Sequence, residues 1–159
     1  MGDTAPVSLV KPVFRGRGFR ENNKLVFVLM PFEEKFRPIY TEIIRPTVEK
    51  LDLKCVRSDD FYGPRPIIED IWRLINEAKI IIADVTTRNA NVFYEIGLCH
   101  AVGKDVIILT QSISDVPFDL RHYRCIQYED SVKGTKQLEK DLFKSIEVLL
   151  FKSDEASSA

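Results

Sequence analysis

The stretch Ile80-Ile81-Ile82-Ala83-Asp84-Val85-Thr86-Thr87-Arg88-Asn89-Ala90-Asn91-Val92-Phe93-Tyr94-Glu95 decides the architecture of this chain. Ile80–Ala83 is a continuous apolar run, the pattern of a strand buried on both faces. A polar turn follows. Asn91–Val102 then reads as a helix, with Asn91 placed as its N-cap and Gly103 closing it. A strand without a polar face, followed at once by a helix, belongs in a parallel sheet covered by helices.

The same alternation continues outward. Leu25–Met30 is a short apolar strand ended by Pro31. Phe36–Leu51 is helical, with Ile39, Ile43, Ile44 and Val48 on one face, and Pro46 predicts a kink in it. Lys54–Arg57 is a second strand, and Gly63, Pro64 and Pro66 mark a loop. Ile67–Ala78 carries an apolar helical stripe of Ile68, Ile71, Leu74 and Ile75. Val106–Leu109 and Cys125–Tyr128 read as the fourth and fifth strands, and Thr135–Leu150 as the last helix. The pattern predicts an α/β, flavodoxin-like three-layer sandwich: a five-stranded parallel sheet of order 2-1-3-4-5 with helices on both faces. The domain boundaries expected are 24–152. Residues 1–23 scatter Lys11, Arg15, Arg17 and Arg20 among Pro and Gly, and predict a flexible basic arm. Residues 153–159 predict a disordered tail.

Composition narrows the class. The chain has 159 residues, enough for one domain with a core of its own. The 23 Lys and Arg against 24 Asp and Glu leave a formal charge of −1, which argues against a nucleic-acid strand as partner. Three cysteines, Cys55, Cys99 and Cys125, without CxxC spacing, point to a reducing, cytoplasmic setting. The longest apolar run is too short to span a membrane.

In sheets of this kind ligands bind beyond the carboxyl ends of the strands, where the strand order switches. The loops to inspect follow Met30, Arg57, Ala83 and Leu109. Met30-Pro31-Phe32 ends the first strand; Phe32 either offers a ring to a base or ribose, or plugs the turn. Arg57-Ser58-Asp59-Asp60 places carboxylates at a strand end, suited to ribose hydroxyls or to an ordinary turn. Asp84 emerges from the most buried strand and is costly there unless paired, ligand-bound or wet. Thr86, Asn89 and Asn91 offer hydrogen bonds, and Arg57 or Arg88 a phosphate contact. Glu95 lies about one turn into the helix. It either compensates the helix dipole or stands as a functional carboxylate. The apolar setting favours the second reading, as does its expected direction toward the same edge as Asp84. Phe93, Gly97 and Ala101 form a small-residue stripe expected to press this helix onto the sheet. A carboxylate at that rim can attack or stabilise C1′ of a ribose. Asp84 and Glu95 are the catalytic candidates. Met30, Pro31, Phe32, Arg57, Asp60, Thr86, Arg88, Asn89, Asn91 and Tyr94 are the substrate-binding ones.

Other chemistries fail. Neither GxGxxG nor GxxxxGK[ST] occurs, and no GxSxG elbow. His100 and His122 have no metal-ligand spacing, so no metal and no cofactor is expected.

The block from Ala83-Asp84-Val85-Thr86 through Asn89-Ala90-Asn91-Val92-Phe93-Tyr94-Glu95 to Gly103-Lys104 resembles the signature of bacterial nucleoside 2-deoxyribosyltransferase-like domains, relatives of the Toll/interleukin-receptor (TIR) domain. Phe27–Phe32, Arg57–Asp60 and Val116-Pro117-Phe118-Asp119-Leu120-Arg121 fit the same layout. The resemblance covers roughly residues 25–128 and implies cleavage or transfer at an N-glycosidic bond. The transferases' attacking glutamate matches Glu95. TIR-type NAD hydrolases carry theirs on the same helix. A further acid that protonates the leaving base falls near Asp70, about one residue out of register. The glycine-rich first-strand loop of true transferases is replaced by Met30-Pro31-Phe32, which favours the TIR-like branch and its roles in bacterial immune signalling. A homo-oligomer is implied, and NAD as one candidate substrate. The rival expectation is a non-catalytic module that senses a nucleotide or self-assembles. A phosphorelay receiver would need acids after the first strand, which this chain lacks.

Overall fold

Five parallel strands in the order β2-β1-β3-β4-β5 form the sheet, in a computed structural model that describes residues 10–62 and 67–158. The strands are β1 (Asn22–Leu29), β2 (Lys54–Arg57), β3 (Ala78–Asp84), β4 (Val106–Thr110) and β5 (Cys125–Gln127). The order is the one expected. The chain leaves β1 toward β2 and returns to β3 on the other side, so a crevice opens beyond the ends of β1 and β3.

Strand alternation divides the core in two. Val26, Val28, Ile80, Ile82, Ile107 and Leu109 face one layer, where Tyr40, Ile44, Val48, Leu138 and Leu142 cover them. Phe27, Leu29, Ile81, Ala83 and Ile108 face the other, under Ile71, Ile75, Ile96 and Cys99. The first layer is built by the segment after β1 and by α5 (Val132–Ser158). The second is built by α3 (Ile68–Glu77) and α4 (Ala90–Ala101).

The helix expected over 36–51 is broken. A 3-10 turn at Glu34–Phe36 leads into a π-helical segment at Ile39–Ile44 and then α1 (Arg45–Glu49). Pro46 has no N–H to donate back into the preceding turn. The wider register absorbs the defect, and Arg45 N–H reaches five residues back to Tyr40 O. A short α2 (Asp59–Tyr62) follows β2. The loop expected at Gly63, Pro64 and Pro66 lies outside the described residues.

Four further features depart from expectation. Asn89, not Asn91, caps α4, accepting from Asn91 N at 3.0 Å and Val92 N at 3.3 Å. The left-handed pair Thr87 (φ 68) and Arg88 (φ 58) turns the chain so that the helix begins early. The Phe93-Gly97-Ala101 stripe does not press on the sheet. Gly97 and Ala101 are exposed, while Val92, Ile96 and Cys99 are buried, because the larger apolar side chains claim the inner face. The described part of the N-terminal arm is docked: Phe14 is buried and stacks on Trp72 at 4.8 Å. Trp72 Nε1 donates to Gly16 O at 3.2 Å, and Arg15 N donates to the Glu69 carboxylate at 2.8 Å. Residues 153–158, expected to be disordered, continue α5. Among the described residues no helix is long and apolar enough to cross a membrane.

Candidate active site

A cavity of about 490 Å³ lies beyond the carboxyl ends of β1 and β3. Met30, Pro31 and Phe32 wall it on one side, Ile68 and Ile71 of α3 on another, and Asn89, Asn91, Val92, Tyr94 and Glu95 on the third. Phe32 and Tyr94 stand at its rim, 46% and 55% exposed. Asn89 spends its side-chain oxygen on the helix cap, and its amide nitrogen makes no hydrogen bond to a described residue.

Glu95 is half-buried here and makes neither hydrogen bond nor ion pair with a described residue. Burial pushes its carboxyl up to about 7. It sits six residues into α4, past the first turn where a helix dipole helps a carboxylate. The dipole-compensating role is therefore weak at this position, and a carboxylate is left in the cavity with no ion-pair or hydrogen-bond partner among the described residues.

Asp84 does not join it. The side chain is fully buried, accepting Tyr128 Oη at 2.6 Å on Oδ2 and Thr86 N at 2.9 Å on Oδ1. Burial raises its carboxyl above the usual range, against the opposing pull of these bonds. The reason is strand parity. Asp84 points the same way as Ile80 and Ile82, into the layer of Tyr128, whereas α4 covers the face of Ile81 and Ala83. Thr86 is buried beside it and accepts from Gln111 N at 3.0 Å, so it ties the loops after β3 and β4 rather than lining the cavity.

Arg57 and Asp60 line a second cavity of about 290 Å³, with Arg37, Tyr40, Thr41, Arg45 and Asp59. The Arg57 guanidinium forks onto Asp59 with two bonds of 2.6 Å and lies between the rings of Phe32 (5.5 Å) and Tyr40 (4.8 Å). Asp60 accepts from Tyr40 Oη, from Arg45 Nη2 at 2.9 Å and from Arg57 N at 2.8 Å. Burial alone would raise the Asp60 carboxyl; the Tyr40 and Arg57 bonds and the Arg45 charge outweigh it and hold the group below its usual range. Arg88 is exposed and lines neither cavity. Asp70 lines neither as well.

The structure thus brings Met30, Pro31, Phe32, Asn89, Asn91, Tyr94 and Glu95 together, and separates them from Asp84, Thr86 and Arg88. Val28, Leu29, Ser58, Ile68, Ile71 and Val92 complete the first cavity. Tyr40 and Arg45 in the second escape sequence reasoning, because only a π-helical register aligns residues five apart. His100 stacks on Tyr123 at 4.2 Å. Among the described residues no cluster of three metal-ligating side chains occurs.

No protein-family model and no curated protein matches the chain. Solved structures do. A CMP N-glycosidase from Clostridium botulinum superposes with a TM-score of 0.58 at 18% identity, over 79% of this chain and 98% of that one. A 2-deoxyribosyltransferase from Bacillus psychrosaccharolyticus gives 0.51 at 14% identity, over 72% and 90%. The chain has the flavodoxin-like fold of nucleoside deoxyribosyltransferases. A 2-desoxiribosyltransferase from Leishmania mexicana gives 0.48 at 18% identity, and the match spans 56% of this chain and 65% of that one. At these identities the likeness is one of fold.

Proposed function

We propose that this chain cleaves or transfers the N-glycosidic bond of a nucleoside or nucleotide, with Glu95 facing the anomeric carbon. The observation that carries the reading is Glu95 itself: a carboxylate with no partner among the described residues, in a cavity at the point where the strand order switches. The likeness of fold to a CMP N-glycosidase supports it.

The cavity supplies the remaining parts. Phe32 and Tyr94 at the rim stack on the base, and the amides of Asn89 and Asn91 bond the sugar hydroxyls. A Glu95 oxygen bonds to C1′ as the C1′–N bond breaks, and the electron pair leaves on the base nitrogen, which takes a proton from water. Water then releases the sugar, giving hydrolysis, or a second base takes it, giving transfer. The anionic form of Glu95 is the reactive one.

The resemblance to TIR-type enzymes makes NAD one substrate to test, and bacterial immune signalling one setting. A cytoplasmic chain that self-associates fits the same reading. Incubating the protein with nucleosides, nucleotides and NAD at two protein concentrations, followed by mass spectrometry, tests it. Base release by the wild type and none by Glu95→Gln is the expected result. Equal turnover by the two proteins would overturn the assignment.

A second reading, a nucleotide sensor, is favoured by one observation. Among the described residues Glu95 is the sole carboxylate lining this cavity, so no neighbouring acid protonates the leaving base. Calorimetric binding of a nucleotide without base release distinguishes this case.

A further inference from the structure

The second cavity has a chemistry of its own. Three guanidiniums, from Arg37, Arg45 and Arg57, line it against two carboxylates, Asp59 and Asp60. Both carboxylates are engaged: Asp59 takes the Nε and Nη2 of Arg57, and Asp60 takes Tyr40, Arg45 and the Arg57 backbone. These bonds clamp the two inner arginines in place. They do not use all of the donors. Arg57 is 4% exposed, yet its Nη1 is buried with no hydrogen-bond partner among the described residues, and the Nε of Arg45 is buried without one among them as well.

Buried guanidinium N–H groups without an acceptor are costly and rare. Clamped guanidiniums that each keep a spare N–H beside one another suit the oxygens of a phosphoryl group. The rigidity matters too, because the stack of Arg57 between Phe32 and Tyr40 removes the side-chain freedom that binding would otherwise cost. We propose that the cavity of Arg37, Arg45 and Arg57 is an anion subsite for a phosphoryl group.

Its place in the fold gives the subsite a further role. Phe32 walls the Glu95 cavity, and the guanidinium lying 5.5 Å from that ring walls the second one. Arg57 is therefore the partition between them. A phosphorylated ligand with its sugar at Glu95 has a phosphoryl site next door, which rests on the glycosidic reading. A free phosphate or pyrophosphate needs only the arginines and does not depend on it.

The test uses the full chain and inorganic pyrophosphate, followed by calorimetry and by the side-chain N–H resonances of the arginines. Thr41 is exposed on the rim of this cavity, away from the core. Thr41→Glu adds a charge that repels a phosphoryl group, and Thr41→Gln adds none. The expected result is pyrophosphate binding that shifts the Arg45 and Arg57 resonances, is retained in Thr41→Gln and weakens about tenfold in Thr41→Glu. No binding at millimolar pyrophosphate, or equal binding by all three proteins, would overturn the proposal.

A nucleoside and its 5′-phosphate then separate the two sources. A wild-type preference for the phosphate of about tenfold, lost in Thr41→Glu, places the phosphoryl group on the ligand of Glu95. Equal affinities with pyrophosphate still bound place it on a separate anion. Base release is measured in parallel: pyrophosphate binding without turnover of any nucleotide leaves the subsite standing while the glycosidic reading falls.

Discussion

Tyr128 Oη donates a 2.6 Å hydrogen bond to Asp84 Oδ2, and both side chains are buried. The bond joins the end of β3 to the segment after β5 and turns Asp84 into a structural group. Tyr128→Phe leaves a buried carboxyl short of a partner and is expected to cost about 1–3 kcal/mol. Chemical denaturation measures the loss. On the proposed function, base release per folded molecule is expected to stay near the wild-type rate, since neither residue lines the Glu95 cavity.

Glu95 predicts opposite effects of pH on activity and stability. Burial raises the folded-state carboxyl to about 7, above its unfolded value, so folding favours the protonated form. The stability from this group is fully present below the ordinary value of 4.5 and is lost progressively as pH rises from there through about 7. Glu95→Gln removes that loss. The variant is expected to match the wild type near pH 4, where the carboxyl is protonated in both folded and unfolded chains, and to exceed it by on the order of 2–3 kcal/mol near pH 8. Paired melting curves across pH measure the gap. On the proposed mechanism the anion is the reactive form, so kcat/KM is expected to rise through the same range and level above it. A rate that falls there would make Glu95 an acid instead.

Phe14 and Trp72 predict a local unfolding. Phe14→Ala removes a buried ring from Trp72 and is expected to cost about 3–5 kcal/mol at this edge. The chain has one tryptophan, so its emission should shift to the red as Trp72 meets water. Proteolysis after Arg15, Arg17 or Arg20 should quicken in the same variant.

Gly97 predicts a gain. It lies exposed inside α4, and a Cβ built there meets no atom within 4 Å. Gly97→Ala is expected to stabilise the chain by about 0.5–1 kcal/mol by restricting the unfolded backbone. A loss of stability or a change in oligomeric state, measured by melting and by sedimentation, would mean instead that this face packs against another copy.

Much of this was legible in the residues. The unbroken apolar run Ile80–Ala83 marks the central strand, since only a strand covered on both faces lacks polar positions. Five such strands in a chain of this length suggest the order 2-1-3-4-5, and that order places the cavity. Glu95 is found from the same reading, as a carboxylate on an otherwise apolar helix at the predicted edge. The cap expected at Asn91 stands two residues earlier, at Asn89, because left-handed Thr87 and Arg88 carry no strong sequence signal.

What the sequence alone determined is the layered α/β plan and the loop set that carries chemistry, because periodicity records which residues are buried. What only the tertiary structure decided is which groups meet. Asp84 and Glu95 are eleven positions apart and both at the switch point, yet the sheet stands between their side chains. Tyr40, Arg45, Arg57 and Asp60 converge only through a π-helical register and a strand end. Burial is a property of one residue and its local period. Contact is a property of two, and depends on which layer covers each face of the sheet.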